Sequence, residues 1–129
     1  MILYTDGGAR GNPGPAAVGV VITDKSGKVI KEIGKYIGKA TNNVAEYKAV
    51  IEGLHAAIQN NIDELTCYSD SLLIVKQLSG EYKIKNKALK ELWDKIKILE
   101  TKFKNISYHH ITRDKNERAD FLVNEVLDA

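Results

Sequence analysis

An α/β fold, a five-stranded mixed sheet flanked by helices, is the expectation set by three features of this 129-residue sequence. Two early apolar runs are separated by a turn with glycine near its end, which reads as a hairpin. Later segments carry apolar residues at helical spacing. Short runs rich in β-branched and aromatic residues stand between them. A hairpin followed by alternating strands and helices gives the order β-β-β-α-β-α-α-β-α, with helices on both sheet faces.

The first strand is Ile2 to Asp6, stopped by Gly7-Gly8. Residues 17–23 and 29–36 form the second and third strands, joined across Lys25-Ser26-Gly27-Lys28. Asn42 or Asn43 caps the first helix, whose stripe of Tyr47, Val50, Ile51, Leu54, Ala57 and Ile58 lies on one face. A fourth strand over 65–70 leads at once into a helix through Leu72, Val75 and Leu78 that closes near Gly80. Leu89, Leu92, Trp93, Ile96, Leu99 and Phe103 predict a helix over 87–103. Residues 106–111 make the fifth strand, and the last helix starts near residue 116.

This length suits one domain, residues 1–129, with one core. With 19 Lys and Arg against 17 Asp and Glu, the formal charge of +2 does not by itself select a nucleic acid. Lys83, Lys85, Lys87 and Lys90 do cluster, either as the solvated start of a helix or as phosphate contacts. A single cysteine, Cys67, cannot form an internal disulfide and reads as a small core residue. No apolar run approaches the ~20 residues of a membrane span. Met1 enters the first strand directly, without the pattern of a leader. The expectation is a free-standing cytoplasmic protein, monomeric and without an obligate protein partner.

Four carboxylates carry the chemical signal: Asp6, Glu46, Asp70 and Asp120. Asp6 and Asp70 stand at the ends of strands that would bring them side by side if paired in parallel. Glu46, expected in the first helical turn, precedes Ala49, Val50 and Gly53 on the packing face. Asp120 precedes Val123 and Leu127 on the face of the last helix that leans toward the core. Each residue alone reads equally as a turn, cap or first-turn acid. Together, converging at buried positions, they need a cation or shifted pKa values. An all-oxygen set suits Mg²⁺ or Mn²⁺. His55, His109 and His110 do not have zinc-site spacing with any thiol. Residues 7–15 are too glycine-rich for an ordinary hairpin and match neither a P-loop nor GxGxxG.

The motifs TDGGARGNPGP, TNNVAEY, SDS and NERAD, in that order, span nearly the whole chain. They resemble the ribonuclease H type 1 family. The resemblance implies the ribonuclease H-like fold and endonucleolytic cleavage of RNA paired to DNA, leaving 3′-hydroxyl and 5′-phosphate ends. It implies Asp6, Glu46, Asp70 and Asp120 as catalytic carboxylates binding two Mg²⁺ or Mn²⁺ ions. It assigns Gly7, Gly8, Ala9, Asn12, Thr41, Asn42 and Asn43 to the hybrid. Glu46 would join Gly7 to Ala9 in reading ribose 2′-hydroxyls.

Two departures from the family's pattern stand out. The basic insertion between the middle helices is absent, as in a compact branch of the family. The position of the family's catalytic histidine falls ungapped on His110, inside the fifth strand, and Arg113 is the candidate chosen for that role. A related nuclease acting on DNA and a hybrid-binding module without catalysis remain as alternatives.

Overall fold

The computed structural model describes residues 1–129. Its elements are β1 (Ile2–Ala9), β2 (Gly14–Thr23), β3 (Val29–Ala40), α1 (Asn42–Gln59), β4 (Glu64–Ser69), α2 (Leu72–Leu78), α3 (Lys87–Glu100), β5 (Asn105–His110) and α4 (Glu117–Asp128). One 3-10 turn, Arg113–Lys115, is added before α4. Otherwise the order is the expected one. The sheet runs β3-β2-β1-β4-β5. Its first three strands are antiparallel, while β4 pairs in parallel with both β1 and β5.

Several boundaries differ from the sequence expectation, each for a physical reason. The glycines do not stop β1 at Asp6. Its pairing with β2 continues to Ala9 opposite Ala16, and the Arg10 N–H donates to the Pro15 carbonyl at 2.8 Å. Residues 7–15 are therefore the end of a long hairpin, contrary to the reading given above. Thr41, rather than Asn42 or Asn43, caps α1, its hydroxyl accepting from the Val44 N–H at 3.2 Å. Glu46 consequently falls in the second turn, away from the helix terminus. β4 ends at Ser69, so Asp70 lies just beyond it. α3 stops at Glu100, and Phe103 packs into the core from the turn that follows.

The main core lies between the sheet and the layer of α1, α2 and α3. Leu3, Val20 and Ile22 from the strands meet Tyr47, Leu54, Ile74 and Ile96 from the helices. Full burial of each such aliphatic side chain contributes about 1.5–3 kcal/mol. Cys67 lies in this core as expected, and burial raises its thiol pKa. Ile51 and Ile58 of the predicted α1 stripe are only partly buried against it.

The opposite sheet face receives α4, with Val21, Ala119 and Leu122 in a smaller core. Gly19 makes this seating possible, because a Cβ there would collide with the Ala119 carbonyl. Gly19 is also the β2 partner of Asp6. The close approach that places Ala119 over Gly19 therefore delivers Asp120, the next residue, to Asp6. No helix of the chain is long and apolar enough to cross a membrane.

Candidate active site

The parallel pairing of β1 with β4 ends at Thr5 opposite Ser69. The next residue of each strand path is an aspartate, so Asp6 and Asp70 emerge side by side as the sequence predicted. Behind Asp70 the chain turns tightly. The Ser71 N–H donates to Ser69 Oγ at 3.1 Å, and the Ser71 hydroxyl caps α2.

Glu46 reaches the same point from α1. Its Oε1 accepts the Gly7 N–H at 2.7 Å. A side chain at Gly7 would overlap the backbone of Ala45 and Glu46, so glycine is the residue that lets helix and strand meet here. Ligand oxygens of Asp6, Glu46 and Asp70 lie within 4.8 Å of one another. Asp120 is not part of this triangle. It approaches Asp6 from the α4 side, its Oδ2 accepting from Asn124 Nδ2 at 3.3 Å and its Oδ1 lying 3.6 Å from Arg113 Nη2. The four carboxylates thus form a triangle and one flank, joined at Asp6.

Packing these acids together perturbs them. Burial pushes Asp6 up to about 8, with the charges of Asp70 and Asp120 adding to the rise. Glu46 is raised well above the usual carboxylate range, again chiefly by burial and then by Asp6 and Asp70. The Gly7 N–H and Arg113 oppose that rise without cancelling it. Oxygen-only donors under mutual repulsion, open to a cavity of about 460 Å³, match the demands of a hard divalent cation. That fit singles out a divalent-metal centre.

Arg113 sits on the cavity wall with its side chain 82% exposed. His110 is the last residue of β5, paired with Ser69 and outside the cavity lining. Geometry thus places Arg113, of the two candidates, next to the acids. Among the expected substrate contacts, Gly7, Gly8, Ala9 and Asn42 line the cavity, whereas Asn12, Thr41 and Asn43 do not. Asn12 and Asn42 instead brace the hairpin. Asn12 Oδ1 accepts the Asn42 N–H at 3.0 Å, and Asn42 Oδ1 accepts the Ala9 N–H at 2.9 Å.

Two cavity residues escaped the sequence reading, Arg10 and Asn124. Arg10 Nη2 donates to Asn124 Oδ1 at 3.2 Å, and its Nη1 pairs with Asp128 at 2.7 Å. Spacing offers one clue in retrospect: Asp120, Asn124 and Asp128 recur every four residues along one face of α4.

A family model described as reverse transcriptase-like matches residues 4–126. Ribonuclease HI of Halobacterium salinarum is 45% identical over 97% of this chain. The crystal structure of LC11-RNase H1 in complex with RNA/DNA hybrid superposes with a TM-score of 0.94 at 50% identity, covering 98% of this chain and 96% of that one. The chain belongs to the ribonuclease H family. It also matches a bifunctional protein of Mycobacterium tuberculosis at 41% identity over its full length. It spans 36% of that mycobacterial protein and 63% of the halobacterial one. As expected for a compact ribonuclease H, only residues 79–86 connect α2 to α3, with no helix between them.

Proposed function

We propose that this ribonuclease H domain, residues 1–129, cleaves the RNA strand of RNA/DNA hybrids by metal-dependent hydrolysis. The products would carry 3′-hydroxyl and 5′-phosphate ends. The observation that carries this reading is the convergence of Asp6, Glu46 and Asp70 within 4.8 Å, with Asp120 on the other side of Asp6. A relative of the same fold, LC11-RNase H1, has been crystallised with a hybrid.

The arrangement supports two cation positions sharing Asp6, one flanked by Glu46 and Asp70 and the other by Asp120. Mg²⁺ or Mn²⁺ bound there would supply an activated water and charge stabilisation of the leaving oxygen. The protein's part is to hold those carboxylates rigidly and to orient the scissile phosphate. Arg113, on the cavity wall beside Asp120, would meet that phosphate as a permanent cation, suited to binding it or its product and unable to shuttle a proton at neutral pH. Backbone groups of Gly7 to Ala9, which line the same cavity, would test for the ribose 2′-hydroxyl.

Away from the reaction centre, Lys83, Lys85, Lys87 and Lys90 are exposed, and Lys90 Nζ lies 4.5 Å from the Trp93 ring. This basic ridge would hold hybrid phosphates in place of the missing insertion. We take the protein to act as a monomer in the cytoplasm. A binding module without catalysis is the weaker alternative, since it would retain the electrostatic cost of the clustered acids for no return.

The test uses a labelled RNA strand annealed to DNA, with wild type and Asp70→Asn, in Mg²⁺, Mn²⁺ or EDTA. Unpaired RNA and an all-DNA duplex serve as controls. Metal-dependent cutting of the paired RNA by wild type alone supports the proposal. Binding of the hybrid without cutting in either metal would turn the reading to the binding module. Cutting of the DNA duplex would indicate a nuclease of different specificity.

A further inference from the structure

Asn116 opens the NERAD motif, yet nothing above gives it a task. It is 1% exposed and stands between the 3-10 turn and α4. Asparagine at a helix start normally folds its side chain back onto the helix's own N–H groups. Here it makes no such bond. Nδ2 instead donates to the Thr5 carbonyl at 2.9 Å, crossing from α4 to the strand that carries Asp6. Because a carbonyl oxygen can only accept, the amide orientation is unambiguous.

The backbone of the same residue binds the other two functional segments. Its N–H donates to the Arg113 carbonyl at 3.0 Å, and its carbonyl accepts the Asp120 N–H at 3.1 Å. One buried residue is thereby joined to Thr5, Arg113 and Asp120. Its Oδ1 is buried with no hydrogen-bond partner. Native folds rarely keep an unpaired buried acceptor, and those that persist need a reason. Here the amide is oriented by its N–H₂ alone.

We propose that Asn116 is the positioning residue that sets the Asp120 carboxylate and Arg113 against Asp6. This rests on the hydrolytic reading above and deepens it. The residue touches no substrate and acts only through the spacing it imposes. Losing the Thr5 bond frees the start of α4 from β1, widening the gap between Asp120 and Asp6. The triangle of Asp6, Glu46 and Asp70 is held by β1, β4 and α1, so it is left intact.

The test compares wild type, Asn116→Ala, the milder Asn116→Ser, and Ile96→Ala as a destabilised control. Ile96 is fully buried in α3 and makes no contact with the cavity. Hybrid cleavage gives kcat and KM, calorimetry gives Mn²⁺ affinity, and thermal melts give Tm. The expected result for Asn116→Ala is a kcat lower by about tenfold or more with KM within about twofold. Mn²⁺ binding at the triangle of Asp6, Glu46 and Asp70 stays close to wild type while any second, weaker binding step beside Asp120 is lost, and Asn116→Ser follows in the same direction. Ile96→Ala loses Tm but keeps its kcat.

An unchanged kcat in a folded Asn116 variant would overturn the proposal, as would a kcat that merely tracks Tm in the manner of Ile96→Ala. Should Asn116→Ala not fold, the serine variant decides. Amide hydrogen exchange separates this proposal from the hydrolytic reading if wild type proves inactive. The Asp120 N–H should then exchange at least about tenfold faster in the Asn116 variant while Leu122 and Val123 stay protected. An Asp120 N–H as protected as in wild type would sink the positioning role whatever the activity.

Discussion

Asp6 is the residue on which the site turns, because it belongs to both the carboxylate triangle and the Asp120 flank. In the metal-free fold it keeps its proton up to about pH 8, whereas the unfolded chain releases it near the ordinary value of 3.8. Between those limits the folded state holds one proton more than the unfolded state, so stability from this group falls as pH rises. Asp6→Asn should therefore make the metal-free protein more stable than wild type at pH 8, by about 2–4 kcal/mol. The difference should shrink toward zero near pH 4, and denaturant melts in EDTA at the two pH values measure it. A metal must displace the same proton. Because Glu46 in the same ligand set is raised too, divalent affinity should rise by at least about tenfold per pH unit well below pH 8 and then level off, as read by calorimetry. Asp70→Asn, which removes a ligand and one source of repulsion, should lower cleavage by at least about a hundredfold.

Two junctions between elements position these acids. Gly7 lets α1 touch β1 so that Glu46 can accept its N–H, and Gly19 lets α4 lie on β2 so that Asp120 reaches Asp6. Gly19→Ala should push α4 off the sheet, destabilising the protein by about 1–3 kcal/mol through overpacking. Because Asp120 moves with the helix, kcat should fall further than the loss of folded protein explains; urea melts and active-site-normalised rates separate the two effects. Thr41→Ala tests the other helix more mildly. Loss of its cap on α1 should cost about 1 kcal/mol in the same urea melts. The residue cannot be exchanged in thought for Asn42, whose side chain is already committed to the Ala9 N–H.

At the scale of the whole molecule, the near-neutral formal charge of +2 hides a division of labour. Acids gather around the cavity, and exposed lysines gather along the α2–α3 connection and the start of α3. Replacing Lys83, Lys85, Lys87 and Lys90 together by alanine should raise KM for the hybrid and flatten its dependence on salt. Each lysine that holds a phosphate contributes about 0.7–0.9 to the slope of log affinity against log salt. Titrations from low to moderate salt check this. An unchanged slope would assign the lysines to solvation alone. The value of kcat at saturating hybrid should be little altered, since none of the four lines the cavity.

Periodicity alone determined the element order, the mixed sheet and most of the core, because burial of apolar residues repeats with the geometry of helix and strand. Motif order alone pointed to the four carboxylates and to the family. The sequence reading failed where two different uses compete for one residue type. Glycine at positions 7 and 8 reads as a strand stop until β2 is seen to pair beyond it. Thr41, Asn42 and Asn43 are all capable caps, and Asn42 loses that task to the bond it makes with Ala9. Arg10 and Asn116 carry no period and no spacing rule, because their partners lie 118 and 111 residues away along the chain, at Asp128 and Thr5. Asn124 does stand at helical spacing from Asp120, but nothing in that spacing tells a site residue from a surface one. Only tertiary structure decided that the acids divide three and one, since that division depends on α1 and α4 approaching opposite faces of β1. Burial and distance, which set the pKa of Asp6, exist only once those helices are seated.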